Sequence, residues 1–98
     1  MNIQAMMKQA QQLQKNMMSE KNIIDEMTFV GKSSFVTVTL KGTKEVEKVE
    51  ILEKNLEPDE IEMLQDMILV AMNDALKQID VETEKRLGKY TQGMPGLF

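Results

Sequence analysis

Apolar side chains recur along the first 27 residues at Ile3, Met6, Ala10, Leu13, Met17, Ile24 and Met27, in a strict heptad broken only at Glu20. That spacing predicts a long amphipathic helix of coiled-coil type, and the intervening Gln, Lys and Ala hold helical geometry well. At ~1.5 Å per residue such a helix runs to roughly 36 Å, whereas a compact chain of this length has a radius of gyration of only about 13 Å. Part of the helix must therefore project from its own body. A projecting seam of Ile and Met costs free energy in water, so a second copy of the chain is expected to cover it. The competing arrangement packs the whole seam inside the monomer.

From Thr28 to Leu52 the period changes to two. Val36, Val38 and Leu40 alternate with Phe35, Thr37 and Thr39, which describes a strand with one buried face. Gly42 follows where a turn is needed, so a hairpin around it is expected. Glu45 to Leu52 places Val49 and Ile51 on one face, with Val46 out of phase, the mark of a bulge or a short edge. Met27 to Val30 is rich enough in apolar and β-branched residues for a third, shorter strand ending before Gly31.

A second helix is signalled at Asn55 to Glu60. Pro58 suits a first helical turn, Asp59 and Glu62 have capping-box spacing, and Glu57, Asp59, Glu60 and Glu62 suit a helix N-terminus. Ile61, Leu64, Ile68, Ala71, Ala75 and Ile79 form a stripe for one sheet face, widened by Met67, Met72 and Leu76. Beyond Asp80 the pattern turns polar as far as Leu87, with Gly88 as the expected stop. Residues 91–98, with Gly93, Pro95 and Gly96, read as an irregular tail. The order of helix, antiparallel strands and helix predicts a single α+β domain over residues 1–90.

Composition narrows the function. Ninety-eight residues exclude two domains, and the absence of cysteine and histidine excludes disulfides, thiolate or imidazole metal sites and every nucleophile–histidine pair. Three Phe, one Tyr and no Trp leave ten Met to fill the apolar contacts, a residue suited to helix seams and partner surfaces. No enzyme activity, cofactor or small-molecule substrate is expected. The longest apolar stretch, Met67 to Met72, is too short for a membrane span, and no basic stretch precedes an apolar block near Met1. A cytoplasmic location is the expectation.

The net charge of −4 is unevenly spread. Residues 1–19 carry Lys8 and Lys15 without an acid, and 28–44 carry Lys32, Lys41 and Lys44 without an acid, whereas 45–66 hold nine acids against Lys48 and Lys54. Grouped cations bind phosphate by local neutralisation and counterion release even on an acidic chain. Gln9 and Gln12, between those lysines, can contact sugar, phosphate and base edges, although a plain solvated helix surface has the same composition. The acids from Glu57 to Asp66 lack the alternating ligands and central Gly of a calcium loop, and the helix dipole accounts for them. Asn73 and Asp74 interrupt the stripe of the second helix, facing solvent or capping a strand or partner backbone.

Several segments together resemble the YbaB/EbfC family of bacterial nucleoid-associated proteins. Met6-Met7-Lys8-Gln9-Ala10-Gln11-Gln12-Leu13-Gln14 is similar to that family's opening helix. Phe29-Val30-Gly31, Val36 to Gly42 and Val49-Glu50-Ile51 look like its strands. Glu57-Pro58-Asp59, Glu62 to Asp66, Ala71 to Ala75 and Gly93-Met94-Pro95-Gly96 resemble its second helix and tail. The family often has a Gly-rich stretch before its second strand, where this chain has Lys32-Ser33-Ser34. The resemblance implies a homodimer with paired helical arms that binds double-stranded DNA with modest sequence preference in the nucleoid, for its organisation or for gene regulation. On this reading Lys8, Lys15, Lys32, Lys41 and Lys44 neutralise phosphates, Gln9 and Gln12 add polar contacts, and Lys85, Arg86 and Lys89 assist from the second helix. The competing function is a protein-interaction module whose Met-rich seams receive a partner helix without nucleic acid.

Overall fold

A computed structural model describes residues 2–91. Helix α1 spans Ile3–Glu26, strands β1, β2 and β3 span Thr28–Ser33, Val36–Lys41 and Val46–Ile51, and helix α2 spans Ile61–Thr91 after a short 3₁₀ turn at Pro58–Glu60. The α+β architecture with a long first helix, a three-stranded antiparallel sheet and a second helix is therefore the one the sequence predicts. The molecule measures 71 × 22 × 15 Å with a radius of gyration of 19.3 Å, well beyond a compact chain of its length.

The elongation comes from α1. Asn2 starts it by accepting from the backbone amides of Gln4 and Ala5, at 3.0 and 3.4 Å. Every residue from 2 to 16 is exposed, and contact with the body begins at Met17. Ile24 is buried where α1 meets α2. Of the seam residues, Ile3, Met6, Ala10 and Leu13 lie on the projecting arm, while Met17 and Ile24 turn into the chain's own body.

The sheet has the order β1-β2-β3. Phe29 pairs with Leu40 and Gly31 with Val38 on the face under α2, where Val36, Val38 and Leu40 are fully covered against Ala71, Ala75 and Ile79. The opposite face carries Thr28, Val30, Lys32, Thr37, Thr39 and Lys41 by strict alternation.

Three sequence expectations move. Strand β1 continues through Gly31 to Ser33, because Gly31 is where the strand and α2 touch backbone to backbone. A Cβ there would sit on the Ala71 carbonyl oxygen and 2.7 Å from the Ala75 nitrogen. Phe35 falls in the turn with Ser34, whose φ of 51° is the positive first position of a two-residue hairpin loop. Helix α2 does not stop at Gly88 but runs to Thr91, since Leu87 is buried and holds this last stretch against the body. The tail expected beyond that point, residues 92–98, lies outside the described residues.

Smaller shifts concern caps and edges. The reciprocal cap at the start of α2 sits at Glu57 and Glu60 and not at Asp59 and Glu62, because Pro58 occupies the first helical position. Ile61, assigned to the buried stripe, is exposed, since the stripe meets the sheet only from Leu64 onward. The β2–β3 loop Gly42-Thr43-Lys44 closes by the Lys44 amide donating to the Lys41 carbonyl at 2.8 Å and the Lys41 amide to the Glu45 carbonyl at 2.9 Å. The bulge expected near Val46 is present: Thr39 pairs with Lys48 and Leu40 with Val46, leaving Glu47 as the extra residue.

Helix α2 lies over β1 and β2 and leaves β3 uncovered. The two sheet edges consequently differ. On the β1 edge, Asp74 accepts from the Lys32 amide at 3.1 Å and Gln78 donates to the Val30 carbonyl at 2.8 Å, so the polar interruption of the α2 stripe caps a strand. On the β3 edge, Val46, Val49 and Ile51 share the α2 side of the sheet yet remain 45, 44 and 41% exposed.

Candidate nucleic-acid interface

Helical spacing sorts the candidate cations on α1. Lys8, Gln12 and Lys15 stand at i, i+4 and i+7 and share one face of the arm, opposite the Ile3–Leu13 seam, with Gln9 on its flank. Gln12 is oriented by donating to Asn16 Oδ1 at 2.9 Å. The arm therefore carries a polar, cationic face and an apolar face back to back, both exposed.

Helix α2 runs antiparallel to α1 where they meet, Glu20 lying against Arg86 and Ile24 sharing a cleft with Ile79, Thr83 and Leu87. By helical rise the last turn of α2 reaches about the level of Lys15, bringing Lys85 and Lys89 to the root of the arm. Lys89 Nζ stands 5.1 Å from the Tyr90 ring centroid, a cation–π distance.

Arg86 is committed differently from the lysines. Its Nε donates to Glu82 at 2.7 Å and its Nη1 to Glu20 at 3.1 Å. Those hydrogen bonds, Glu82 first and then Glu20, hold the guanidinium pKa above its usual range. Glu20 is the one polar residue of the seam, so the break in the heptad marks where the arm is tied to α2.

Lys32 and Lys41 lie on the open sheet face, away from the α1 group. Lys41 faces Glu47 at 3.9 Å, and Lys48 pairs with Glu50 at 3.5 Å on the same sheet. Lys44 takes a φ of 75° at the end of its loop and lines a cleft of about 450 Å³ together with Asp25, Asp80 and Glu84. The structure thus brings Lys8, Gln12, Lys15, Lys85 and Lys89 to the arm and its root, and places Lys32 on the open sheet face and Lys41 and Lys44 beside acids.

No buried side-chain nitrogen or oxygen among the described residues lacks a partner, and no group of three or more acids among them is arranged to hold a metal ion. No helix among them is long and apolar enough to cross a membrane. The features that stand out are surfaces: the two-faced arm and the β3 edge.

Comparisons with known proteins agree on one relationship. The model of the YbaB/EbfC DNA-binding family matches residues 1–94. A nucleoid-associated protein of Enterococcus faecalis is 43% identical over 98 residues, covering 98% of this chain and 94% of that one. One from Lactococcus lactis subsp. lactis is 47% identical over 97 residues, covering 97% and 98%, and one from Oceanobacillus iheyensis is 48% identical over 101 residues, covering 99% and 97%. The crystal structure of an uncharacterized protein from Helicobacter pylori has the same fold, with a TM-score of 0.70 at 18% identity over 94% of this chain and 98% of that one.

Proposed function

The chain belongs to the YbaB/EbfC DNA-binding family, and from that premise we propose that it is a homodimeric nucleoid-associated protein that binds double-stranded DNA with low sequence preference. Its place is then the nucleoid, and its work is organising DNA and influencing gene expression by position, without catalysis. The observation that carries the reading is the arm, whose Lys8, Gln12 and Lys15 form one exposed face while Ile3, Met6, Ala10 and Leu13 form the other.

Pairing of two copies supplies what one lacks. Among the described residues, strand β3 is an edge with unpaired backbone groups, flanked by exposed Val46, Val49 and Ile51. Two such edges related by a twofold axis join antiparallel into one continuous sheet and cover those side chains. Each copy then contributes an arm, and the lysines of two arms act on one duplex. Phosphate contacts by Lys8, Lys15, Lys85 and Lys89 give affinity without sequence information, since phosphates are the same at every base pair. Gln9 and Gln12 supply the modest preference.

Electrophoretic retardation of duplex DNA over a salt series tests the reading. Retention should weaken steeply, with a log–log slope of about −0.9 per phosphate contact. The double variant Lys8→Ala/Lys15→Ala should make the slope shallower by nearly two per arm engaged. Unshifted DNA at low salt with micromolar protein would overturn the proposal.

A further inference from the structure

We propose that Asp74 and Gln78 act as a stop on assembly, closing the β1 edge so that copies joined through β3 end as a pair. The inference rests on the β3 pairing proposed above. A sheet with one open edge forms a closed dimer by edge pairing. A sheet with two open edges does not close: each dimer would present a β1 edge at both ends, and β1–β1 pairing would extend it indefinitely.

Strand β1 has the makings of such an edge. It is six residues long, and Lys32 is its one charged residue. Its hydrogen bonds to β2 run through the alternate residues, so the amides and carbonyls of Val30 and Lys32 point outward. An incoming strand would take the Val30 carbonyl and the Lys32 amide as a pair. Gln78 and Asp74 take those same two groups, one donating and one accepting. The match is geometric as well as chemical. The Val30 carbonyl and the Lys32 amide flank the single residue Gly31, and side chains four apart on α2, one helical turn and about 6 Å, lie on one face and converge on them.

Gly31 makes the reach possible. With no Cβ between the backbones, Ala71 and Ala75 bring α2 down onto β1, and the next residues around the helix overhang the strand. The same placement draws α2 away from β3. Closing one edge and leaving the other open are therefore two results of a single packing contact.

Sedimentation velocity over a concentration series tests the stop. The unmodified chain should reach a dimer and grow no further. The Asp74→Ala/Gln78→Ala variant should keep growing, its weight-average mass passing the dimer by at least about twofold at the highest concentration. Adding Val30→Pro to that variant removes an outward amide without touching the β2 ladder, and should return the particle to the dimer. A folded double variant that halts at the dimer overturns the proposal. A monomeric unmodified chain would instead defeat the β3 pairing. The stop is then judged by whether the double variant gains a dimer through its freed edge, and a variant that stays monomeric defeats the stop too. Should the double variant not fold, Gln78→Ala alone removes only the donor to Val30 and is read by the same outcomes.

Discussion

Glu20 of α1 and Arg86 of α2 meet at 3.1 Å, at the one position where the α1 heptad is polar. Because Glu82 holds the same guanidinium from one turn earlier on α2, Arg86 braces the arm against the second helix. Arg86→Ala should therefore leave the salt slope of DNA binding unchanged, whereas Lys8→Ala should make it shallower by nearly one per arm engaged. The chain has no cysteine, so a spin label at Gln11→Cys is unique in each copy. Label–label distances across the dimer should broaden in Arg86→Ala and stay narrow in the parent.

Two glycines should respond in opposite directions to alanine. At Gly31 the added methyl meets the Ala71 carbonyl and the Ala75 nitrogen, which are backbone atoms that cannot swing aside. Gly31→Ala should cost about 3 kcal/mol by overpacking and lower the melting temperature by more than about 10 °C. At Gly88 the nearest atoms are the carboxylate of Glu84, the far end of a flexible side chain, and the backbone is helical. Gly88→Ala should gain up to ~1 kcal/mol from helix propensity. Thermal unfolding followed by circular dichroism reads both.

Ser34 holds a φ of 51° in the β1–β2 turn, a conformation glycine adopts without a Cβ penalty. Ser34→Gly should stabilise the fold by roughly 0.5–1 kcal/mol, the left-handed strain relieved less the added chain entropy. Urea denaturation should show a higher midpoint with an unchanged m-value. Lys44 is under the same constraint at φ 75°. Lys44→Gly should likewise stabilise, and a fall of nearly one in the DNA salt slope for each copy in contact would count Lys44 among the phosphate contacts.

The long-period features of this fold were legible in the residues. The heptad from Ile3 to Met27 marks α1, the alternation from Val36 to Leu40 marks β2, and the out-of-phase Val46 marks the bulge. What escaped depends on contacts between distant parts of the chain. Glu20 reads as a flaw in a seam until Arg86, 66 residues later, stands beside it. Leu87 reads as the end of a polar stretch until α1 covers it. Gly31 and Gly88 are the same residue type, and only the neighbour tells that one is a packing contact and the other an interior helix position. The candidate lysines were countable from the sequence, but their division between the arm and the acid-flanked sheet and cleft was not, since residue spacing fixes a face only within one element.

In the proposed dimer β3 is the pairing edge, and DNA is gripped only by the pair. Sedimentation equilibrium on dilute protein, beside Val49→Lys/Ile51→Lys, tests it most directly. The parent should have twice the chain mass, and the variant should fall to a folded single copy that no longer retards duplex DNA. A parent that is a stable folded monomer, or a variant that remains a DNA-binding dimer, would contradict the account.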